Sequence, residues 1–297
     1  MRENLYNAIL GLAIGDALGV PAEFMGRQSL RITPVNRMMS GGIWGQPAGT
    51  WSDDTAMTLA TLDAIKENNF VVNDKTLNDI MNNFVKWYKY GKYAVANHRF
   101  DIGNTCRKAI DTYRNNEDVN NCGCSDAKSC GNGALMRIIP ASIFDDDTVL
   151  KISRLTHNNK TCDDCSLIYS KFLNLLQVMD KEDAFEELIK YVNKNTNTLD
   201  LYRLKLKSFK DLDEIDIKSS GYAVHTLEAA IWCFLNTKSY KDCVLKAVNL
   251  GDDTDTVAAV AGGLAGIYYG INDIDGIPSE WIMQLRDKHS LDKICGI

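Results

Sequence analysis

Proline and alternating strand patterns are both scarce in this chain. Only 5 prolines occur in 297 residues, and sustained alternation of apolar and polar side chains is rare. Proline interrupts helices, and period-two alternation indicates half-buried strands. No repeating order of strands and helices is evident, which argues against a parallel sheet. We therefore predict an all-α fold, with short extended pieces at most at residues 30–35 and 204–209.

An excess of positive charge is also missing. The formal net charge is -6, so the chain has no general attraction to nucleic acid or anionic lipid, and we expect neither as a partner. The apolar run at residues 8–14 is too short to span a bilayer, and Gly15 and Asp16 follow it, unlike a signal peptide. The 9 cysteines cannot all pair within one chain. We predict a cytoplasmic protein with reduced thiols.

Helical periodicity is spread over the whole chain. It predicts helices at residues 55–65, 77–90, 104–114, 165–178, 181–192, 226–235 and 240–250. A glycine-rich apolar run at residues 256–267 predicts a buried helix packed closely against its neighbours. The polar stretch at residues 180–220 suits surface helices better than a linker. We expect one domain over residues 1–297, because similar acidic motifs lie near its opposite ends.

Two clusters of oxygen-bearing side chains, at residues 52–55 and 252–256, lie at the beginnings of predicted helices. Each combines aspartates with hydroxyl side chains and lacks His and Cys. Hard oxygen ligands favour Mg²⁺, Mn²⁺ or Ca²⁺ over zinc. If the two clusters meet, bound cations would offset the repulsion between their carboxylates. The competing interpretation is that the aspartates only cap helices, which is how we interpret residues 145–147.

Three further segments carry polar groups at predicted helix ends. Glu23 follows a glycine-punctuated helix, and Asp101 comes just before another helix start. A glycine loop at residues 131–133 runs into a helix, where backbone N–H groups can hold a phosphate without basic side chains. A lone Gly-Asn-Gly is more commonly a turn, so the loop indicates a binding site only in combination with the acidic motifs.

The set of motifs resembles the ADP-ribosylglycohydrolase family, typified by the glycohydrolase that reactivates dinitrogenase reductase. Four motifs match in order: Gly15-Asp16-Ala17-Leu18-Gly19 with Glu23, Trp51-Ser52-Asp53-Asp54-Thr55, Gly131-Asn132-Gly133-Ala134-Leu135-Met136-Arg137 and Gly251-Asp252-Asp253-Thr254-Asp255-Thr256. Minor matches lie at residues 101–103, 156–157, 220–222 and 277–281. The resemblance covers nearly the whole chain and implies an all-α fold with two Mg²⁺ ions at the base of a cleft, with Mn²⁺ as a substitute.

The resemblance also implies a set of site residues. The implied metal ligands are Ser52, Asp53, Asp54, Asp253, Asp255 and Thr256. The distal ribose of ADP-ribose would lie near the metals, and the loop at residues 131–136 would hold the diphosphate. The implied substrate contacts are Gly103, Asn104, Thr105, Gly131, Asn132, Gly133, Met136, His157 and Tyr222, of which the last two would lie near the adenosine end.

The implied reaction is the hydrolytic removal of ADP-ribose from a modified protein side chain. A carboxylate must move a proton, and we expect Asp101 to do so for an arginine-linked substrate and Glu23 for a serine-linked or ester-linked one. ADP-ribosyl-arginine is the expected substrate. The alternatives are a hydrolase of serine-linked or O-acetyl ADP-ribose, and a non-catalytic relative that binds ADP-ribose.

The chain departs from the family pattern at three positions, and its cysteines form two groups. Asp252 stands where glycine is usual and would add a charge beside the metals, Ser52 stands where threonine is common, and Cys130 where serine is frequent. Cysteines lie close in sequence at residues 122, 124 and 130 and again at residues 162 and 165. A zinc or redox site is the functional interpretation, and incidental thiols are the favoured one, because the spacing is irregular.

Overall fold

Thirteen α-helices form the regular structure of residues 2–296, the part of the chain that the computed structural model describes. They are α1 (Arg2–Gly19), α2 (Arg27–Ile32), α3 (Asp53–Glu67), α4 (Asp74–Tyr90), α5 (Asn104–Asn116), α6 (Asp146–Arg154), α7 (Lys160–Leu176), α8 (Lys181–Asn195), α9 (Ala223–Leu235), α10 (Tyr240–Val248), α11 (Thr254–Tyr269), α12 (Ser279–Gln284) and α13 (Lys288–Cys295). Within residues 2–296 extended pairing is limited to four isolated β-bridges. The prediction of an all-α fold is confirmed.

The two extended pieces are the wrong part of that prediction. Residues 30–35 begin inside α2, and residues 204–209 fall in the 3₁₀ turns Leu199–Lys205 and Lys207–Asp211. Leu201 and Leu204 are both buried. Their spacing of three residues is one turn of a 3₁₀ helix, so both side chains reach the core from the same face. The polar stretch from residue 180 therefore holds α8 and then 3₁₀ turns, not surface helices throughout.

An antiparallel pair of helices, α1 and α11, lies at the centre of the core. A Cβ atom on Gly11 would lie 2.3 Å from the carbonyl oxygen of Gly262, and one on Gly15 would lie 2.1 Å from that of Ala258. Only glycine allows two backbones to approach so closely. The sequence-based prediction of a buried, closely packed helix at residues 256–267 is confirmed, with α1 as its partner.

The first helix is longer than its most apolar run suggests. The stretch Glu3–Ala22 is long and apolar enough to cross a membrane by length and composition alone. Inside the fold, however, 94% of its most apolar window is buried. The sequence argument from the short run at residues 8–14 therefore underestimated the length, and burial in the core explains why the helix is apolar.

The helix pair decides where the two acidic clusters lie. Because α1 and α11 are antiparallel, the end of α1 at Gly19 meets the beginning of α11, where a Cβ on Gly19 would lie 2.3 Å from the Cα of Asp255. The hydroxyl of Thr254 donates a 2.8 Å hydrogen bond to the carbonyl of Gly19. Glu23, four residues beyond Gly19, is thereby placed beside the second acidic cluster.

Candidate functional site

The beginnings of α3 and α11 converge on one buried carboxylate, Asp16 of α1. Asp16 accepts hydrogen bonds from the backbone N–H groups of Ser52 and Thr55, at 2.9 and 3.1 Å, and from the hydroxyl of Thr55 at 2.6 Å. It is fully buried. Asp16 therefore holds the start of α3, with Asp53 and Asp54, against α1. The start of α11 packs against the same helix.

The aspartates of the two clusters do not act as ordinary helix caps. The cap of α3 is Ser52, whose hydroxyl accepts from the N–H of Asp54 at 3.4 Å and donates to the Asp54 carboxylate at 2.8 Å. Asp253 occupies the cap position of α11 without making a side-chain cap bond, and its Oδ2 accepts from Asn132 at 2.9 Å. Asp145, in contrast, does cap α6 by accepting from the N–H of Thr148.

The carboxylate oxygens form two groups that could each hold a metal ion. Oxygens of Asp16, Asp54 and Asp255 lie within 4.8 Å of one another, and so do those of Glu23, Asp101 and Asp255. Asp255 belongs to both groups. Two buried oxygens, Asp54 Oδ1 and Asp255 Oδ2, have no hydrogen-bond partner. Orphaned buried carboxylate oxygens at such distances fit a divalent cation with oxygen ligands.

Repulsion among these carboxylates is large in the absence of a counter-charge. Burial raises the pKa of Asp53, Asp54 and Asp255 well above the usual range, and neighbouring carboxylates raise it further. Within residues 3–296, none of the three forms an ion pair with Lys or Arg. A cation would offset the unfavourable energy of keeping them ionised.

The two candidates for proton transfer differ in their surroundings. Burial and the nearby Asp101 raise the pKa of Glu23 to about 8, while a hydrogen bond from the indole N–H of Trp44 opposes the rise. The Asp101 carboxyl is half-buried, and burial and the Asp253 charge raise its pKa. Asp101 also has a φ of 34°, on the loop just before α5. Glu23 is therefore held by a partner, whereas Asp101 lies on a more exposed loop.

A cavity of about 270 Å³ opens over the two carboxylate groups. The predicted residues that line it are Glu23, Asp53, Asp101, Gly103, Asn104, Thr105, Gly131, Asn132, Gly133, Met136, His157, Asp253 and Thr256. Ser52, Asp54 and Asp255 are not in the lining and lie among the buried groups below it. A larger cavity of about 410 Å³ is lined by apolar side chains such as Ile9 and Phe144 and contains no carboxylate. The cavity of about 270 Å³, which is lined by carboxylates, is therefore the candidate active site.

The glycine loop at residues 131–133 is tied to the acidic clusters. The amide of Asn132 donates to Asp253 and to the hydroxyl of Thr226, both at 2.9 Å. A Cβ on Gly133 would lie 2.6 Å from Cys106 Sγ and 2.9 Å from the ring of His157, so the loop can lie on these side chains only as glycine. The predicted helix after the loop is a single 3₁₀ turn, Leu135–Arg137.

His157 and Tyr222 both lie next to this loop, but only His157 lines the cavity. His157 is buried beneath it, where burial and the Arg137 charge lower the pKa of the imidazole to about 3, and its Nδ1 lies 2.8 Å from the Thr156 hydroxyl. Tyr222 pairs with Gly131 through an isolated backbone bridge, and its hydroxyl donates to Asp200. The Tyr222 ring contacts His225 and does not line the cavity.

The departure at Asp252 has a structural explanation. Asp252 has a φ of 61°, a conformation that favours glycine and tolerates aspartate, and its side chain is exposed. It belongs to neither carboxylate group. All nine cysteines are free thiols, and among residues 2–296 no metal-type cluster contains a cysteine. The structure therefore does not assemble the cysteines into a zinc site.

Comparison with known proteins decides the family. The family model described as ADP-ribosylglycohydrolase matches residues 1–296. The chain belongs to the ADP-ribosylglycohydrolase family. It is accordingly a hydrolase that acts on glycosidic bonds of ADP-ribose.

Several relatives of this ADP-ribosylglycohydrolase align over most of their length. The ADP-ribosylarginine hydrolase Tri1 of Pseudomonas putida (strain GB-1) is 34% identical, over 97% of this chain and 75% of its own. The ADP-ribosyl-[dinitrogen reductase] glycohydrolase of Rhodospirillum rubrum is 30% identical, over 97% of this chain and 92% of its own. A solved structure titled ADP-ribosylglycohydrolase-related protein complex superposes with a TM-score of 0.82 at 27% identity, covering 99% of this chain and 96% of that one.

Three residues of the ADP-ribosylglycohydrolase cleft were not singled out from the sequence. Asp16 was quoted only as part of a motif, although a carboxylate inside an apolar helix is a detectable signal. Trp44 lies outside every motif, and nothing in its neighbourhood shows that its indole reaches Glu23. Phe24 was not considered as a site residue, yet it lines the cavity.

Proposed function

We propose that this hydrolase removes ADP-ribose from modified arginine side chains, with Mg²⁺ as the cofactor. The observation that carries the proposal is that four of the predicted carboxylates, those of Glu23, Asp53, Asp101 and Asp253, line one cavity together with the glycine loop. The arginine linkage is supported by the two Tri1 relatives, at 34% and 31% identity, which are named as ADP-ribosylarginine hydrolases. An ADP-ribosylated protein is the proposed partner.

The proposed metal ligands are the six hydroxyl and carboxylate residues named from the sequence. Ser52 and Thr256 both contact Asp54, at 2.8 and 3.5 Å, and Asp255 joins the two carboxylate groups. The four carboxylates among these six ligands carry enough negative charge to balance two divalent ions, and oxygen ligands support Mg²⁺, with Mn²⁺ as a substitute. When bound, the ions would supply positive charge that polarises the oxygens of the distal ribose.

The protein's own residues would hold and orient the substrate. The backbone N–H groups of Gly131 and Gly133 and those of the α5 start at residues 103–105 would bind the diphosphate, since both segments line the cavity. The N–H of Asn132 already donates to the carbonyl of Gly221. Asp101 would move the proton between water and the leaving arginine, because it is the less enclosed of the two carboxylates. With a serine-linked or ester-linked substrate, Glu23 would move the proton.

A panel of linkages tests the proposal. Purified protein would be given arginine-linked, serine-linked and O-acetyl ADP-ribose with Mg²⁺, and released ADP-ribose would be measured. The proposal predicts the highest kcat/KM for the arginine linkage. A higher kcat/KM for the serine or ester linkage would contradict the arginine linkage and support that substrate class instead. Tight binding of ADP-ribose without any release would support the non-catalytic alternative.

Two more general expectations remain proposals. We propose that the chain is one domain over residues 1–297, supported by the central pairing of α1 with α11, which come from opposite ends of the sequence. We also propose a reducing, cytoplasmic location, supported by nine thiols of which none is in a disulfide within the described residues. Limited proteolysis and cell fractionation are the respective tests.

A further inference from the structure

Phe24 exposes an aromatic ring at the mouth of the candidate site. Its exposed fraction is 63%, whereas that of the preceding residue, Glu23, is only 7%. Both residues line the cavity, together with Asp101 and Asp253. The chain therefore turns Glu23 inward and Phe24 outward at the mouth of the cavity.

The backbone of Phe24 is held in an unfavourable conformation. Its φ of 64° lies in the left-handed region, which a bulky residue rarely adopts. The N–H of Phe24 donates to the carbonyl of Asp252 at 2.7 Å, and the N–H of Asp252 donates to the carbonyl of Met25 at 2.9 Å. These two bonds join the turn to the loop that carries Asp253. Glycine would meet the backbone requirement at less energetic cost, so the ring itself is the feature to be explained.

The neighbouring aromatic rings are already engaged. Trp44 donates its indole N–H to Glu23, and its ring lies 5.8 Å from that of Phe100, the residue before Asp101. Among the residues that the structure describes, Phe24 has no aromatic partner. Its ring is therefore available to a group that enters from solvent.

The charge around Phe24 favours a cation as that group. Glu23 and Asp101, which are not among the proposed metal ligands, both line the cavity, and neither forms an ion pair with Lys or Arg in residues 3–296. A guanidinium group is planar, positively charged and weakly hydrated, and it stacks on aromatic faces. A serine side chain or an acetyl ester offers neither the charge nor the plane.

We propose that the ring of Phe24 stacks on the guanidinium of the ADP-ribosylated arginine and makes the enzyme select the arginine linkage. The inference rests on the proposed function, because it assigns a contact to the leaving side of an arginine-linked substrate. Phe24 is a specificity-determining residue in this account. It contacts the leaving side chain and takes no part in proton transfer.

The test compares Phe24→Leu, which keeps apolar bulk but removes the ring, with Phe24→Tyr, which restores a ring. Phe70→Leu is a matched control, because Phe70 also has a positive φ, of 60°, but lines the separate apolar cavity. The measurements are KM and kcat for an arginine-linked ADP-ribosyl peptide, and the inhibition constant of free ADP-ribose.

We expect Phe24→Leu to raise KM for the arginine-linked peptide about two- to fivefold with little change in kcat, the loss expected for a cation–π contact at an exposed ring. The inhibition constant of ADP-ribose should not change, and Phe24→Tyr and Phe70→Leu should behave like wild type. An unchanged KM in Phe24→Leu, or an equal weakening of ADP-ribose, would overturn the stacking contact alone. A wild-type protein that leaves the arginine linkage intact would overturn the proposed function as well.

Discussion

Individual side chains of the site were easier to predict than the hydrogen bonds that hold them in place. Asp53, Asp253 and Asp101 could be named because acidic residues before helices are visible in a sequence. The hydrogen bond from Trp44 to Glu23 could not, since it joins residues 21 positions apart through a loop without periodicity. What the sequence does not contain is the direction in which each side chain points, and this decides whether a carboxylate caps a helix or faces a cation.

The buried imidazole of His157 leads to a prediction about acid stability. Its pKa is about 3 in the folded state, against an ordinary value near 6.5. Above pH 6.5 neither state is protonated. Between pH 6.5 and 3 only the unfolded chain takes up the proton, so the folded state loses stability as the pH falls, by about 1.4 kcal/mol per pH unit from this residue.

We therefore expect the stability advantage of wild type over His157→Asn to shrink by about 2–3 kcal/mol between pH 7 and 4.5. Urea unfolding at both pH values measures it. His98→Asn, at an exposed histidine, is the control and should leave the pH dependence as in wild type. An advantage that is the same at both pH values would show that His157 is protonated in the folded protein.

Helices were predicted well where they are long and amphipathic. All seven amphipathic segments proposed from periodicity are helical, but the short helices α2, α12 and α13, of 6, 6 and 8 residues, were missed. Helices of about two turns have too few apolar positions to establish a 3.6-residue period. The 3₁₀ turn at Leu135–Arg137 was taken for a helix for a related reason, because one turn of either type has a similar pattern.

The glycine contact between α1 and α11 predicts a large effect of a single methyl group. In Gly15→Ala the new Cβ would lie 2.1 Å from the carbonyl oxygen of Ala258, which is backbone and cannot rotate away. We expect the free energy of unfolding to fall by about 3 kcal/mol as the helices separate. Gly26→Ala is the control, since no atom lies within 4 Å of its Cβ position, and should change it by less than about 1 kcal/mol. Equal urea midpoints for both variants would refute the close pairing.

At the scale of the whole molecule, the resemblance to a family predicted more than the physics of the sequence did. Periodicity indicates that α1 and α11 are helices, but not that they are antiparallel partners. Their pairing brings residues 16, 54 and 255 together from three distant parts of the chain. A set of motifs in a fixed order can predict such a pairing, because the motifs belong to a family whose fold brings them together. The single domain over residues 1–297 stays a prediction.

The crowded carboxylates predict that metal binding and intrinsic stability oppose each other. In Asp54→Asn one buried charge is removed while the contact with Ser52 can remain. Without metal, we expect this variant to melt at a higher temperature than wild type, because the carboxylate repulsion is reduced. Saturating Mg²⁺ should raise the Tm of wild type by roughly 5 °C and that of the variant by much less.

Differential scanning calorimetry with EDTA or Mg²⁺ measures both effects. Asp145→Asn is the matched control, since Asp145 caps α6 at the surface and asparagine is an equally good cap. It should respond to Mg²⁺ as wild type does. A Tm of Asp54→Asn that rises with Mg²⁺ as much as that of wild type would show that the ion binds elsewhere.

The most direct test of the central claim is the Mg²⁺ dependence of ADP-ribose release from an arginine-linked substrate. Chelator-treated wild type should be inactive and should recover when Mg²⁺ is added back. Asp53→Ala and Asp253→Ala should stay inactive at every Mg²⁺ concentration while remaining folded. Unchanged turnover in both variants, or full activity of the metal-stripped wild type, would contradict a catalytic metal site built from the two acidic clusters.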